Sequence, residues 1–138
     1  MDTSAGFSKQ EVTEFIQTHF SDTGNRFEIE ELNSSGVTLT FTVTERSLRP
    51  GGTVSGPALM LIADCALYMA ILGRTKTGIK AVTTNLSFNF FRKAPGDQNI
   101  RAECRLLKMG KTLATGEVFM YSVNSDEPIA HAVGTFAL

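Results

Sequence analysis

The sequence predicts an α+β fold in which one dominant apolar helix is enclosed by a mainly antiparallel sheet. Three observations carry that expectation. The most apolar stretch of the chain, residues 57–72 (PALMLIADCALYMAIL), has helix-end signals on both sides. Nearly everything after Gly78 alternates apolar and polar residues with the period of a strand. The resulting order, α-β-β-α-β-β-β-β, leaves the sheet to pack on the central helix. With 138 residues and 42% hydrophobic content, residues 1–138 form one domain.

Ser8-Lys9-Gln10-Glu11 is a capping box, and Val12, Phe15, Ile16 and Phe20 form one apolar stripe, so an amphipathic helix is predicted over 8–20. Residues 21–25 read as a turn. Phe27 and Ile29, then Val37, Leu39, Phe41 and Val43, alternate with polar residues around Asn33-Ser34-Ser35-Gly36, the pattern of a hairpin. Residues 46–54, with Pro50, Gly51 and Gly52, form a loop that feeds the central helix. That helix is predicted over about 57–72. Ser55 and Gly56 suit its N-cap, Pro57 its first position, Gly73 a left-handed stop, and Arg74 and Lys76 the negative end of its dipole. At 1.5 Å per residue it is about 24 Å long, short for a bilayer. Its apolar residues run all the way round, which predicts enclosure by other protein.

In the long strand at 81–91, Val82, Thr84, Leu86, Phe88 and Phe90 take one face; Thr83, Asn85, Ser87 and Asn89 take the other. Ile100, Ala102, Cys104 and Leu106 mark the next strand, followed by strands at about 112–123 and 128–136.

A net charge of -1 and a pI near 6.1 argue against a nucleic-acid or anionic-membrane surface. The first eight residues lack a basic segment followed by an apolar run, so a cytoplasmic protein is expected. Cys65 and Cys104 lack metal-ligand spacing and read as buried, reduced thiols. His19 and His131 fall on the first helix and last strand, with no Ser-His-Asp order, Gly-x-Ser-x-Gly elbow or phosphate-binding glycine loop.

What remains is Asp64, the sole carboxylate in the apolar run, and the helix N-terminus at Gly56. Burying an unpaired carboxylate costs several kcal/mol, so Asp64 is either paired or used. Free N–H groups at Gly56 can hold an oxyanion while a carboxylate acts as nucleophile or base, a combination suited to attack on a carbonyl. The two positions are eight residues apart, about 12 Å along the axis, whereas a reacting carbonyl lies about 3 Å from both groups. If both act, they come from different subunits of a twofold dimer. A structural role for Asp64, capping a backbone group or pairing with Arg49 or Arg92, stays open on the residues alone.

RPGGTVSGPALMLIADCALYMAI (49–71) and AVTTNLSFNFFRKAPGD (81–97) resemble the hotdog-fold acyl-CoA thioesterases of the phenylacetyl-CoA thioesterase type, and the resemblance covers about residues 24–138. It implies that the Gly56 amide polarises a thioester carbonyl, that Asp64 of the partner subunit is nucleophile or general base, and that Thr83 orients the carboxylate or water. Asn85 would lie near the pantetheine channel, and Arg92, Lys93, Lys108 and Lys111 near the coenzyme A phosphates. Coenzyme A is then part of the substrate; no separate cofactor and no metal are implied, and a homodimer, pairing into a tetramer, is. Ser55 stands where the family has His, Pro57 where it has a second Gly, and Arg49 where Asn is frequent. Ser55 still donates a hydrogen bond and stays among the catalytic candidates, but either the acyl group differs or activity is low. The alternative is a non-catalytic acyl-CoA-binding hotdog protein; hydratase or dehydratase chemistry is disfavoured by the absent His.

Overall fold

The computed structural model describes residues 6–138. Six strands, β1 (Phe27–Asn33), β2 (Gly36–Phe41), β3 (Val82–Phe90), β4 (Ile100–Met109), β5 (Leu113–Ser122) and β6 (Ala130–Ala137), form one sheet in the order β1-β2-β4-β5-β6-β3, antiparallel at every pairing. The sheet curves around α3 (Gly56–Arg74), the hotdog arrangement that the resemblance implies. Alternation explains the packing: in β6 every second residue from Ala130 to Phe136 is buried, and in β5 every second residue from Ala114 to Ser122. Gly116 and Gly134 pair in adjacent strands, and a Cβ on either would come within 2.7 Å or 2.6 Å of a Leu67 methyl. The two glycines thus form a dent that seats Leu67 and brings α3 close to β5 and β6.

Ahead of the sheet lie α1 (Lys9–His19) and the four-residue α2 (Ser21–Gly24), which occupies much of the expected turn. The capping box forms as read: Glu11 N–H donates to Ser8 Oγ at 3.1 Å, and Ser8 N–H to Glu11 Oε1 at 2.9 Å. Val12 and Ile16 are fully buried. At the start of α2, Ser21 has φ 49°, a left-handed conformation that costs a residue with a Cβ about 1–2 kcal/mol.

Three expectations need correction. Gly73 does not stop α3; the helix runs through it to Arg74 and is capped by extended Thr75. Its missing side chain serves packing, since a Cβ would lie 2.6 Å from Leu32 Cδ1. Second, α3 is not enclosed on every side. The sheet buries most of it, yet Met60 (44% exposed) and Leu61 (40%) stay open, with Asp64 and Tyr68 half-buried along the same stripe. Third, β3 does not alternate cleanly. Thr83 pairs with Phe136 and Asn85 with Thr135, so Thr84 is an extra, bulged residue. The bulge turns Thr83 onto the inner face with Leu86 and Phe88, leaving Asn85, Ser87 and Asn89 on the outer face.

Among the described residues only one edge of β3 is paired, and Val82 (60% exposed) and Phe90 (52%) lie in the open on this terminal strand.

Candidate active site

The site is built outward from the two ends of the α3 stripe. At the N-terminus, Ser55 is the N-cap and accepts a hydrogen bond from Ala58 N–H at 3.1 Å, while Leu59 N–H donates to the Ser55 carbonyl at 3.1 Å. Pro57 has no N–H. Of the four positions from the N-cap on, whose donors have no backbone partner within the helix, Ser55 N–H donates to Ser47 C=O at 2.8 Å and Gly56 alone keeps a free N–H among the described residues. The substitution of Pro for a second Gly therefore leaves a single open donor.

That donor lies in a cleft of about 410 Å³ lined also by Arg49, Phe90, Arg92 and Lys93. The loop reaches it by a tight turn: Arg49 N–H donates to Thr53 C=O at 2.9 Å and Gly52 N–H to Arg49 C=O at 3.0 Å, with Gly51 and Gly52 at φ 104° and 89°. Val54 N–H then donates to Ala94 C=O, tying the loop to the segment after β3 that carries the other two cations. Arg92 is anchored at the rim by Pro128 C=O and Glu127. A Cβ on Gly56 would meet only the Phe90 ring, at 3.6 Å. Among the described residues, then, no closer contact demands glycine there.

Asp64 lies two turns along α3 in a different cleft, of about 330 Å³. Thr83 Oγ1 donates to Asp64 Oδ1 at 2.6 Å. The carboxylate is half-buried rather than sealed in the core, and its partner is this hydroxyl, not Arg49 or Arg92. The bulge at Thr84 is what makes the bond possible. The rest of the cleft is apolar: Phe20, Cys65, Ala81, Val82, Phe136 and the ring of Tyr68. Burial, and then the Asp64 charge, push the Cys65 thiol up to about 12, so it stays protonated and is no nucleophile at neutral pH. The Tyr68 hydroxyl donates to Ile79 C=O at 2.8 Å, and burial raises its pKa.

The remaining candidates divide. Ser55 uses its hydroxyl oxygen to cap the helix and lines a separate cleft with Arg26 and Arg46 rather than the Gly56 cleft. Asn85 is on the outer face. Lys108 lies level with Thr115 and Thr135, toward the Thr83 end of the sheet, whereas Arg92 and Lys93 follow its Phe90 end; Lys111 is in the adjoining β4–β5 turn. One chain thus brings Arg92 and Lys93, but not Lys108 or Lys111, to the Gly56 cleft. Phe20, which the sequence assigns to the apolar stripe of the first helix, also forms a wall of the Asp64 cleft.

A family model described as the thioesterase superfamily matches residues 51–129, more than half of the chain and both clefts' catalytic candidates. A Silicibacter protein, described as a candidate thioesterase, is 34% identical with a TM-score of 0.86, covering 97% of this chain and 93% of its own. Zebra fish thioesterase superfamily member 2 is 21% identical, with a TM-score of 0.86 over 96% of this chain and 99% of its own. A Streptococcus pneumoniae protein, named a hypothetical thioesterase and solved with coenzyme A, is 20% identical, with a TM-score of 0.78 over 93% and 94%. At the latter two identities the likeness is one of fold. No curated protein matches the chain in sequence.

Proposed function

Since this chain belongs to the thioesterase superfamily, we propose that it hydrolyses an acyl-CoA thioester at composite sites, each made of Gly56 of one subunit and Asp64 of the partner subunit. The observation that carries this reading is the free Gly56 N–H, set in a cation-rimmed cleft two helical turns from a carboxylate in an apolar one. Neither cleft holds both groups. Two features favour a second copy as the missing half: the unpaired edge of β3, with Val82 and Phe90 exposed, and the open stripe of Met60 and Leu61 that runs into Asp64. An unpaired, uncharged edge strand is a template for pairing, and a twofold contact would lay the stripe of one α3 beside that of the other.

In the proposed reaction the Gly56 amide donates to the thioester oxygen and stabilises the charge that develops there. Asp64 of the partner subunit either takes a proton from the attacking water or attacks the carbonyl itself, giving an anhydride that water then opens. Either way the C–S bond breaks, water supplies the oxygen of the free acid, and the coenzyme A sulfur leaves and is protonated. Thr83 holds Oδ1, so the other oxygen of Asp64 faces the substrate. Arg49, Arg92 and Lys93 receive the anionic coenzyme A.

The test is thiol release from a panel of acyl-CoAs by wild type and Asp64→Asn. The variant is expected to lose two to four orders of magnitude in kcat while still binding acyl-CoA. The position of Ser55, which offers nothing to the Gly56 cleft, favours one second reading, a catalytically silent acyl-CoA binder. Wild type that binds acyl-CoA without releasing thiol would establish that reading and overturn hydrolysis. Gel filtration checks the assembly: activity in a strictly monomeric protein contradicts the composite site.

A further inference from the structure

We infer that Phe20, carried on the N-terminal helical arm, closes the acyl end of the Asp64 cleft and sets the longest acyl chain the protein accepts. The inference rests on the acyl-CoA reading above and extends it to the substrate's other half.

A thioester diverges in two directions from its carbonyl, one arm polar and polyanionic, the other hydrocarbon. The clefts divide in the same way. Three cations rim the Gly56 cleft, while the Asp64 cleft has Asp64, Thr83 and the Tyr68 hydroxyl as its polar side-chain groups, the last committed to Ile79. Burying hydrocarbon against rings is favourable, and burying phosphate there is not. The acyl arm therefore enters beside Asp64.

The far wall is an aromatic stack. Phe20 lies over Tyr68 with ring centroids 6.0 Å apart and planes 16° apart, and Tyr68 lies against Phe136 at 6.5 Å and 24°. Tyr68 is fixed from α3 by its bond to Ile79 and Phe136 is buried in β6. Phe20 has neither constraint. It occupies the junction of α1 and α2, where its own N–H caps α1 through Ile16 C=O and the chain then turns through the left-handed Ser21. A strained non-glycine conformation persists where the surroundings hold it, and this one directly follows Phe20, whose ring stacks on Tyr68 of α3. Phe20 also lies outside residues 51–129, so the part of the chain matched by the family model does not specify this wall. At about 330 Å³ the cleft is at the small end of ligand pockets, roughly 300–1,000 Å³, so removing one ring changes its reach materially.

The experiment compares wild type, Phe20→Ala and Phe20→Trp on straight-chain acyl-CoAs of increasing length. Thiol release gives kcat/KM, and calorimetry gives the affinity of non-hydrolysable S-alkyl-CoA thioethers of the same lengths. Phe20→Ala is expected to move the optimum to longer chains, gaining about fourfold per methylene that newly finds room; Phe20→Trp is expected to move it to shorter ones. Identical length profiles in all three proteins overturn the inference, whether or not hydrolysis occurs. Shifted thioether profiles without thiol release keep Phe20 as the length determinant and sink the hydrolase reading. Thiol release with unshifted profiles does the reverse, and neither thiol release nor thioether binding at any length overturns both.

Discussion

Around Gly56 the protein presents cations and one open backbone donor; around Asp64, on the same helix, it presents rings and one hydroxyl-bound carboxylate. The first cleft can hold charge that a ligand brings or develops, the second can hold hydrocarbon and supply an oxygen nucleophile or base. The difference teaches how a single helix can build two chemically unlike clefts without joining them. Its N-terminus leaves the Gly56 N–H open at the positive end of the helix dipole, while its flank, two turns on, faces the neighbouring strand. Because the flank and the end are about 12 Å apart, the proposed reaction leaves the pairing of unlike clefts to a second chain.

The comparison breaks most sharply at Gly56. Gly56→Pro removes the open N–H at a helix position that tolerates proline, next to an extended Ser55 that already suits a following proline. Steady-state assays are expected to show kcat lower by about two to three orders of magnitude, the loss typical of a missing oxyanion donor, with an unchanged melting curve. Unchanged kcat would assign the first cleft to binding alone.

Thr83 sharpens the other side. Thr83→Val keeps the shape of the side chain and removes its donor to Asp64. The expected loss is about tenfold in kcat with KM nearly constant, comparable to a hydrogen bond to a charged group of ~1.5 kcal/mol, and Thr83→Ser is expected to recover most of it. A loss confined to stability would make Thr83 structural.

The smallest effect belongs on the outer face of the sheet, which neither cleft uses. There His131 Nε2 lies 3.0 Å from Glu117 Oε1, and Arg105 donates to Oε2 at 2.8 Å. The bond from His131, followed by Arg105, holds the Glu117 carboxyl below its ordinary 4.5. A carboxylate whose pKa is lower folded than unfolded stabilises above the unfolded value and loses that contribution as pH falls through the folded one. Glu117→Gln is therefore expected to cost about 1 kcal/mol at pH 7, read by denaturant melts, with the gap to wild type closing in acid and acyl-CoA turnover unchanged.

Much of this was legible in the residues because local chemistry decides it. Ser8 and Glu11 announce a capping box, Ser55 and Pro57 announce the start of α3, and Asp64 stands out as the one carboxylate in an apolar run. The bulge in β3 was not legible. Thr83 and Thr84 are identical, so one extra residue leaves no mark on the hydropathy alternation, yet it decides which threonine meets Asp64. Gly73 misled because a glycine needed for Leu32 to approach looks, in sequence, like one needed for a left-handed turn. The free donor at Gly56 emerged only by accounting for its neighbours' hydrogen bonds. Arg49 reaches the same cleft through a turn that depends on Thr53 and Ala94, contacts that sequence order does not display.

The central claim, that Gly56 and Asp64 act across two chains, is tested by mixing two inactive proteins. Asp64→Asn and Gly56→Pro are unfolded together in equal amounts and refolded, and thiol release is measured against refolded wild type. Random pairing makes half the dimers mixed, each with one intact site, so the mixture is expected to recover about a quarter of wild-type activity although each variant alone recovers almost none. A mixture no more active than the two variants measured separately would contradict the composite site.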